Sequence, residues 1–306
     1  MKIETCIVCG NNLFESTVWG GYIFKGREYC IVRCLKCGFM FLDHLPDLEI
    51  LNEVYSKDDY FKNYHATNLG LRSYIETMGS YKRLDEQSIS LIKNFKSYGK
   101  LLDIGCAGGR FLASAKKYGF EVCGIEPNST MADFAKNELG LNVFCGTLES
   151  IDFKADSFDI VYTADVLEHF HDIERSILII KKIVRKYGIL VIQQPLTYNK
   201  SFFNLFLKLN MFFKKNKFAE NPPLHLWEFN SKTLKMFLEK MGFRVDYYRI
   251  FESNAKPLAI YKDVCIKNKL GYLAKKISRA ISNSFITKKF ELGDRAIAIC
   301  MNEKRI

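Results

Sequence analysis

The sequence predicts an α/β protein with a mostly parallel sheet, preceded by a small cysteine-rich segment. Short apolar runs of strand length alternate with amphipathic runs of helix length from about residue 100 onward, a pattern typical of βαβ units. A glycine-rich turn from Gly105 to Gly109 follows the first of these strands, and Cys-x-x-Cys occurs twice before it. The 306 residues are enough for one large domain and a small one.

The cysteine-rich segment comprises residues 1–42. Its first pair is Cys6 and Cys9, and its second pair is Cys34 and Cys37. Two such turns can supply the four thiolates of a closed, tetrahedral zinc site, and metal binding then contributes folding free energy to a segment with little core. The apolar runs between the pairs predict strands, so we expect a structural zinc ribbon.

Residues 43–99 are predicted to connect the ribbon to the main domain. The segment contains Tyr55, Tyr60 and Tyr64. It then shows a helical pattern formed by Tyr74, Met78, Tyr81 and Leu84. Such a connector either caps a cofactor and contributes aromatic rings to a substrate pocket, or packs on the sheet as a plain helix. The sequence leaves both interpretations open.

Residues 100–306 form the predicted main domain. Its strands are expected near 100–104, 121–125, 141–144, 158–163, 189–193, 243–250 and 295–301. Glycines at 119, 140 and 188 are expected to end helices, and Asn230 to begin one.

Two insertions, near 200–224 and 265–290, combine apolar residues with lysines. We expect them to pack as caps over the substrate site. Basic amphipathic helices also suit an anionic membrane surface, so peripheral membrane contact is the alternative.

The glycine-rich turn is the strongest functional signal. Glycines let the backbone approach a ligand closely, and the start of the following helix offers N–H groups to an anion. Glu126 ends the next predicted strand, where a carboxylate can bind both hydroxyls of a ribose. The alternate spacing of Gly105, Ala107 and Gly109 departs from the G-x-G-x-x-G pattern of dinucleotide-binding folds.

This spacing, with Asp103 in front, resembles motif I of class I S-adenosylmethionine (SAM) methyltransferases, D-x-G-x-G-x-G, with Ala107 in place of the middle glycine. The resemblance implies a Rossmann-like sheet of seven strands with an antiparallel last pair, and SAM as the cofactor. It also implies the residues that contact SAM: Asp103, Gly105, Ala107, Gly109, Glu126, Thr147, Leu148 and Ala164.

Two histidines are candidate catalytic bases. His169 follows the fourth predicted strand of the main domain, and His225 lies in a loop beyond the fifth. Asp165, Glu168 and His169 have the spacing of one helix face and resemble an acidic-x-x-Glu-His element of ubiquinone-biosynthesis O-methyltransferases, which implies a possible divalent-metal site. Alternatively, Asp165 and Glu168 form a capping box, and His225 has a structural role.

The composition leaves the acceptor open. A net charge of +11 and a pI of about 9.0 suit a phosphate-bearing substrate, nucleic acid or anionic lipid, or reflect only a lysine-rich surface. The N-terminus shows no apolar signal-peptide core, and close cysteine pairs suit a reducing compartment, so we expect a cytoplasmic protein.

Ribbon, tyrosine-rich connector and SAM motif together resemble bacterial methyltransferases of polysaccharide and deoxysugar biosynthesis. The resemblance implies methyl transfer to a hydroxyl of a sugar, a nucleotide sugar or a lipid-linked glycan. The alternative is an RNA methyltransferase of the zinc-ribbon rRNA guanine type. The positive charge is mostly lysine in the C-terminal insertions, which makes nucleic acid the less favoured partner.

Overall fold

The computed structural model describes residues 2–56, 74–78, 82–200, 202–213, 217–251, 277 and 291–303. Its strands are β1 (Phe14–Phe24), β2 (Arg27–Cys34), β3 (Met40–Leu42), β4 (Lys100–Ile104), β5 (Glu121–Glu126), β6 (Val143–Cys145), β7 (Phe158–Ala164), β8 (Val184–Pro195), β9 (Phe218–Ala219), β10 (Trp227–Glu228), β11 (Arg244–Phe251) and β12 (Arg295–Met301). Its helices are α1 (Leu48–Ser56), α2 (Tyr74–Thr77), α3 (Lys82–Lys93), α4 (Arg110–Lys117), α5 (Ser129–Asn137), α6 (Ile173–Ile183), α7 (Phe202–Phe213) and α8 (Ser231–Lys240). Apart from Ile277, the predicted insertion near 265–290 lies outside the described residues, as do Tyr60 and Tyr64.

The main sheet has seven strands in the order β11-β12-β8-β7-β4-β5-β6. Neighbouring strands from β8 to β6 are parallel, and β12 is antiparallel to both β8 and β11. This confirms the predicted seven-stranded, Rossmann-like α/β sheet with an antiparallel last pair. The carboxyl ends of β4, β5 and β7 lie side by side, which brings together the segments that follow them.

Two of the three helix-ending glycines are confirmed. Gly119 and Gly140 follow α4 and α5 with φ angles of 91° and 59°, a left-handed conformation that glycine adopts at low cost. The prediction for Gly188 is wrong, because α6 ends at Ile183 and Gly188 lies inside β8. A Cβ at Gly188 would lie 2.8 Å from the Val184 Cγ1, 2.9 Å from the Arg185 carbonyl oxygen and 3.0 Å from the Asp159 carbonyl oxygen, so this position has no room for a side chain.

A second sheet, here called the ribbon sheet, has the order β10-β3-β2-β1-β9. Its three central strands come from residues 14–42, whereas β9 and β10 come from the segment after α7. In β10, Trp227 pairs with Phe41 and Glu228 pairs with Met40. The ring of Phe39 also packs on Phe229 with centroids 4.8 Å apart. The cysteine-rich segment and the loop that carries His225 therefore share one sheet and one core.

Asn230 begins α8 as predicted, since its side-chain oxygen accepts hydrogen bonds from the backbone N–H groups of Lys232 and Thr233. Among the described residues, no helix combines the length and the apolar character that crossing a bilayer requires.

Candidate active site

The glycine-rich turn after β4 has an unusual backbone. Gly105, Ala107 and Gly109 all have left-handed φ angles, of 72°, 48° and 78°. The carbonyl oxygen of Ile125 in β5 accepts hydrogen bonds from the N–H groups of Gly105 and Cys106, at 2.9 and 3.0 Å. No side chain caps the start of α4, so the first N–H groups of this helix can face an anionic group of a ligand.

Glu126 lies at the end of β5, directly against this turn. Its carboxylate is 4% exposed and accepts hydrogen bonds from the N–H groups of Ala107 and Asn128, both at 2.8 Å. Burial raises the pKa of Glu126 to about 7, although both backbone N–H groups favour the ionised form. Sequence reasoning missed Asn128, whose side chain also caps α5 through the N–H of Met131 at 3.0 Å. An Asn-Ser-Thr sequence before a helical pattern was the signal for it.

Asp103 in β4 adds a second buried carboxyl group, 3% exposed. Burial raises its pKa well above the ordinary value, and nearby Asp85 and Glu126 raise it further, while Arg110 lowers it. Because carboxyl groups crowd this end of the sheet, the site favours a ligand that brings positive charge.

The remaining predicted SAM contacts lie at the same end of the sheet. Thr147 and Leu148 follow β6, where the Thr147 N–H donates to the Ser150 hydroxyl at 3.0 Å. Ala164 is the last residue of β7. These residues thus line the carboxyl ends of strands next to the glycine-rich turn.

The segment after β7 does not form the predicted capping box. The short turn Leu167–His169 begins after Val166 without a side-chain cap. Asp165 has a φ of 57°, and its carboxylate binds the guanidinium of Arg295 in β12. Sequence reasoning missed Arg295, since the ion pair joins two residues that are 130 positions apart in the chain.

Glu168, His169 and His225 form a compact cluster, with one ligand atom from each lying within 4.8 Å of the others. The Glu168 Oε1 lies 3.8 Å from the His169 Nε2 and 3.9 Å from the His225 Nε2. Glu168 is only 1% exposed, and within the described part of the chain neither of its oxygens has a hydrogen-bond partner. The structure thus brings both predicted histidines together. Of the three residues predicted for a divalent metal, Asp165 lies outside the cluster and His225 takes its place, because Asp165 is bound to Arg295.

Contacts of the Nδ1 atoms, which point away from Glu168, fix the orientation of both histidine rings. The His169 Nδ1 lies 2.7 Å from the carbonyl oxygen of Leu224, which can only accept, so in the neutral ring Nδ1 carries the proton and Nε2 has the lone pair. The Tyr55 hydroxyl also lies 2.8 Å from this Nδ1. The His225 Nδ1 lies 3.1 Å from the Glu228 Oε1. Both Nε2 atoms therefore face Glu168.

Burial and neighbouring charges shift the pKa values of the cluster residues in different ways. Burial raises the pKa of Glu168, whereas His225 lowers it. Burial works against a charged His225, but Glu228 beside it, together with Glu168 and Asp165, outweighs this effect and raises the pKa of His225 to about 9. Sequence reasoning did not assign a role to Glu228, although it lies only three residues beyond His225. His169 is therefore the candidate base of the pair, with His225 as a cation between two carboxylates.

The glycine-rich turn and the cluster are direct neighbours. A Cβ built on Gly105 would lie 2.5 Å from the Val166 Cγ2, and Val166 begins the turn that carries Glu168 and His169. The glycine-rich turn and the segment that carries Glu168 and His169 are therefore in contact.

The four cysteines of the ribbon form a separate group. The Cys6 and Cys37 sulfurs are 3.6 Å apart, as are those of Cys9 and Cys34, and all four lie within 4.8 Å of one another. A tetrahedron with Zn–S bonds of about 2.3 Å has sulfur–sulfur edges of roughly 3.8 Å, so the four thiolates fit a zinc ion.

Comparison with known proteins identifies the main domain. The family described as "Methyltransferase domain" matches residues 78–248. The chain belongs to this family. The methyltransferase domain thus covers the glycine-rich turn, Glu126 and the cluster.

Curated relatives of this methyltransferase match over part of their length. A protein named ubiquinone biosynthesis O-methyltransferase from Coxiella burnetii is 34% identical over 82 residues, which is 25% of this chain and 35% of that relative. One of the same name from Bartonella tribocorum is 27% identical over 157 residues, or 49% of this chain and 61% of that relative. A solved SAM-dependent methyltransferase from Archaeoglobus fulgidus is 20% identical, with a TM-score of 0.48, covering 75% of this chain and 100% of that chain.

The substitution Glu126→Gln is expected to weaken SAM binding by about 10- to 100-fold near pH 8, since a hydrogen bond to a charged group contributes about 1.5–3 kcal/mol. Because burial raises the pKa of Glu126 to about 7, the native protein should lose SAM affinity as the pH falls through that value. Titration calorimetry across this range measures both effects. Glu121→Gln, at the exposed start of β5, is the control, and unchanged SAM affinity in Glu126→Gln contradicts the ribose-binding role.

Proposed function

We propose that this methyltransferase transfers the methyl group of SAM to a hydroxyl group of a small molecule. The observation that carries the proposal is the contact between the glycine-rich turn and the segment of the cluster, through Gly105 and Val166. It supports a donor held between the turn and Glu126, with an acceptor at Glu168, His169 and His225. Methyl transfer depends mainly on holding donor and nucleophile in line, and two adjoining sites provide this.

The donor fits the residues of its site. The two buried carboxyl groups, Asp103 and Glu126, suit a cofactor that carries a sulfonium and an ammonium group and a ribose. The uncapped start of α4 suits the carboxylate of its amino-acid part.

His169 is proposed to take the proton of the acceptor hydroxyl. Its Nδ1 is held by the Leu224 carbonyl, so the lone pair of Nε2 faces the cluster and can accept a proton. His225, held by Glu228, supplies positive charge beside the oxygen that becomes negative during the reaction.

The same three residues also fit a divalent cation. Ligating histidines typically donate their outer N–H to a carbonyl or a carboxylate, as His169 does to Leu224 and His225 to Glu228. The buried Glu168 oxygens, without hydrogen-bond partners among the described residues, suit a third ligand. A bound cation would lower the pKa of a hydroxyl that coordinates it, and His169 and His225 would then act as ligands.

We propose a sugar, a nucleotide sugar or a lipid-linked glycan of surface polysaccharide biosynthesis as the acceptor. The supporting observations are the ribbon, the net charge of +11, and the hydroxyl chemistry in the names of the O-methyltransferase relatives. The ribbon is proposed to hold one structural zinc ion through Cys6, Cys9, Cys34 and Cys37.

Mass spectrometry tests the proposed function. Purified protein with SAM is incubated with nucleotide sugars, glycolipids and a structured RNA, and each product is examined for the mass gain of one methyl group. Methylation of a saccharide hydroxyl supports the proposal. Methylation of RNA alone would contradict the proposal and favour an RNA methyltransferase. Failure to bind SAM would contradict the donor site itself.

A further inference from the structure

A cavity of about 530 Å³ lies between the ribbon sheet, α7 and the segment after β8. Its lining includes Trp19, Arg33 and Met40 from the ribbon sheet, and Tyr198 and Lys200 from the methyltransferase domain. This volume is typical of small-molecule sites. None of the residues of the glycine-rich turn or of the cluster lines this cavity.

Strand register connects the cavity to the active-site cluster. Residues that lie directly opposite each other on neighbouring strands share a face of the sheet. One such row crosses four strands: Glu15 pairs with Arg33, Arg33 with Met40, and Met40 with Glu228. The first three members line the cavity. Glu228 therefore lies on the cavity face, one strand spacing of about 5 Å beyond Met40, where it holds His225.

The lining has the chemistry of a site for a phosphorylated saccharide. The rings of Trp19 and Tyr198 lie 4.8 Å apart, tilted by 39°, and form an aromatic wall on which the C–H face of a sugar ring can pack. Lys200 and Lys208 add two positive charges, and neither forms an ion pair with a carboxylate among the described residues. Arg33 differs, since Glu15 already binds it.

Lysine is a frequent ligand of phosphate in proteins. From the shared face, the aromatic wall and the two lysines, we propose that this cavity binds the acceptor, and that the acceptor is a sugar carrying a phosphate or diphosphate group. The inference rests on the proposed function, because it uses the neighbouring cluster as the place of reaction. In this arrangement the ribbon forms one wall of the acceptor site, and its row of side chains leads from the sugar site to Glu228 and His225.

Tryptophan fluorescence tests the proposal, because the chain has two tryptophans and Trp19 lies in the cavity. The probes are UDP-glucose, for a soluble nucleotide sugar, and farnesyl-diphosphate-linked glucose in detergent, for a lipid-linked one. At least one probe should change the emission of the native protein but not of Trp19→Phe, while glucose alone changes neither. The probe that binds more tightly shows whether the acceptor is a soluble nucleotide sugar or a lipid-linked sugar.

The double variant Lys200→Ala/Lys208→Ala should bind the probe about 10-fold or more weakly at low salt. The charge-matched control, Lys117→Ala/Lys154→Ala, removes two exposed lysines elsewhere and should bind like the native protein. If neither probe changes the emission, or if the two double variants bind equally, the proposal is wrong. SAM affinity is measured on the same samples: its loss would contradict the proposed function, whereas SAM binding without probe binding contradicts this inference alone.

Discussion

The variant His169→Ala is expected to turn over its acceptor at least about 100-fold more slowly than the native protein, since a positioned general base usually contributes that much. His225→Ala should cause a loss of similar size, because both rings face Glu168 at 3.8–3.9 Å and act as one unit. SAM affinity should stay unchanged, because the glycine-rich turn and Glu126 are intact. Turnover is measured with the acceptor identified by mass spectrometry, and SAM binding by calorimetry.

The control is His171→Ala. This histidine lies two residues beyond His169, but its ring contacts the Pro46 carbonyl at 3.1 Å and not the cluster. Full turnover in both His169→Ala and His225→Ala would exclude histidine catalysis here. The double variant should be hardly slower than either single one, as for groups that act together.

Glu168→Gln separates the two proposed roles of the cluster. With a cation at the cluster, this variant should lose one equivalent of bound divalent metal compared with the native protein, as measured by elemental analysis. With proton transfer alone, metal content is unchanged and only turnover falls.

Replacement of Cys37 by serine is expected to remove zinc from the ribbon and to destabilise the protein strongly. Structural zinc sites in isolated zinc-finger peptides contribute about 10–16 kcal/mol, and Cys37 lies 3.6 Å from the Cys6 sulfur. The expected result is the loss of one zinc per chain and a lower temperature of unfolding. Elemental analysis and calorimetry measure these two quantities.

Cys30→Ser is the matched control, because Cys30 lies nearby in β2 of the ribbon sheet but outside the four-cysteine group. It should keep zinc and stability. A Cys37→Ser protein that retains a full equivalent of zinc and the native unfolding temperature would contradict the zinc site.

Much of the fold follows from local patterns in the sequence. The strand before the glycine-rich turn and the acid at position 126 are encoded within about 25 residues of each other, so their spacing predicts their proximity. The Asn230 cap is also local. The prediction for Gly188 is wrong because a glycine after a helical pattern usually ends a helix, whereas the actual constraint is the lack of room for a Cβ beside Val184, Arg185 and Asp159.

The sequence predicted the two histidines of the cluster but not their arrangement, because the arrangement depends on contacts between distant segments. His169 and His225 were recognised as candidates, but their convergence on Glu168 depends on the loop being tied down by the hydrogen bond from the Leu226 N–H to the Glu168 carbonyl. Arg295, which binds the Asp165 carboxylate outside the cluster, is 130 residues distant in the chain. Such long-range ion pairs have no signature in local spacing.

The strands of the ribbon sheet come from two distant parts of the chain, so the sheet cannot be completed until the second part has been synthesised. Strands β1 to β3 leave the ribosome first, but their neighbours β9 and β10 end only at Ala219 and Glu228. Until then, both outer edges of the nascent sheet lack their partner strands, and contacts between such distant segments form slowly. The ribbon strands β1 to β3 are therefore synthesised long before the strands that complete their sheet, and a truncated chain that stops before position 218 would expose those edges to aggregation.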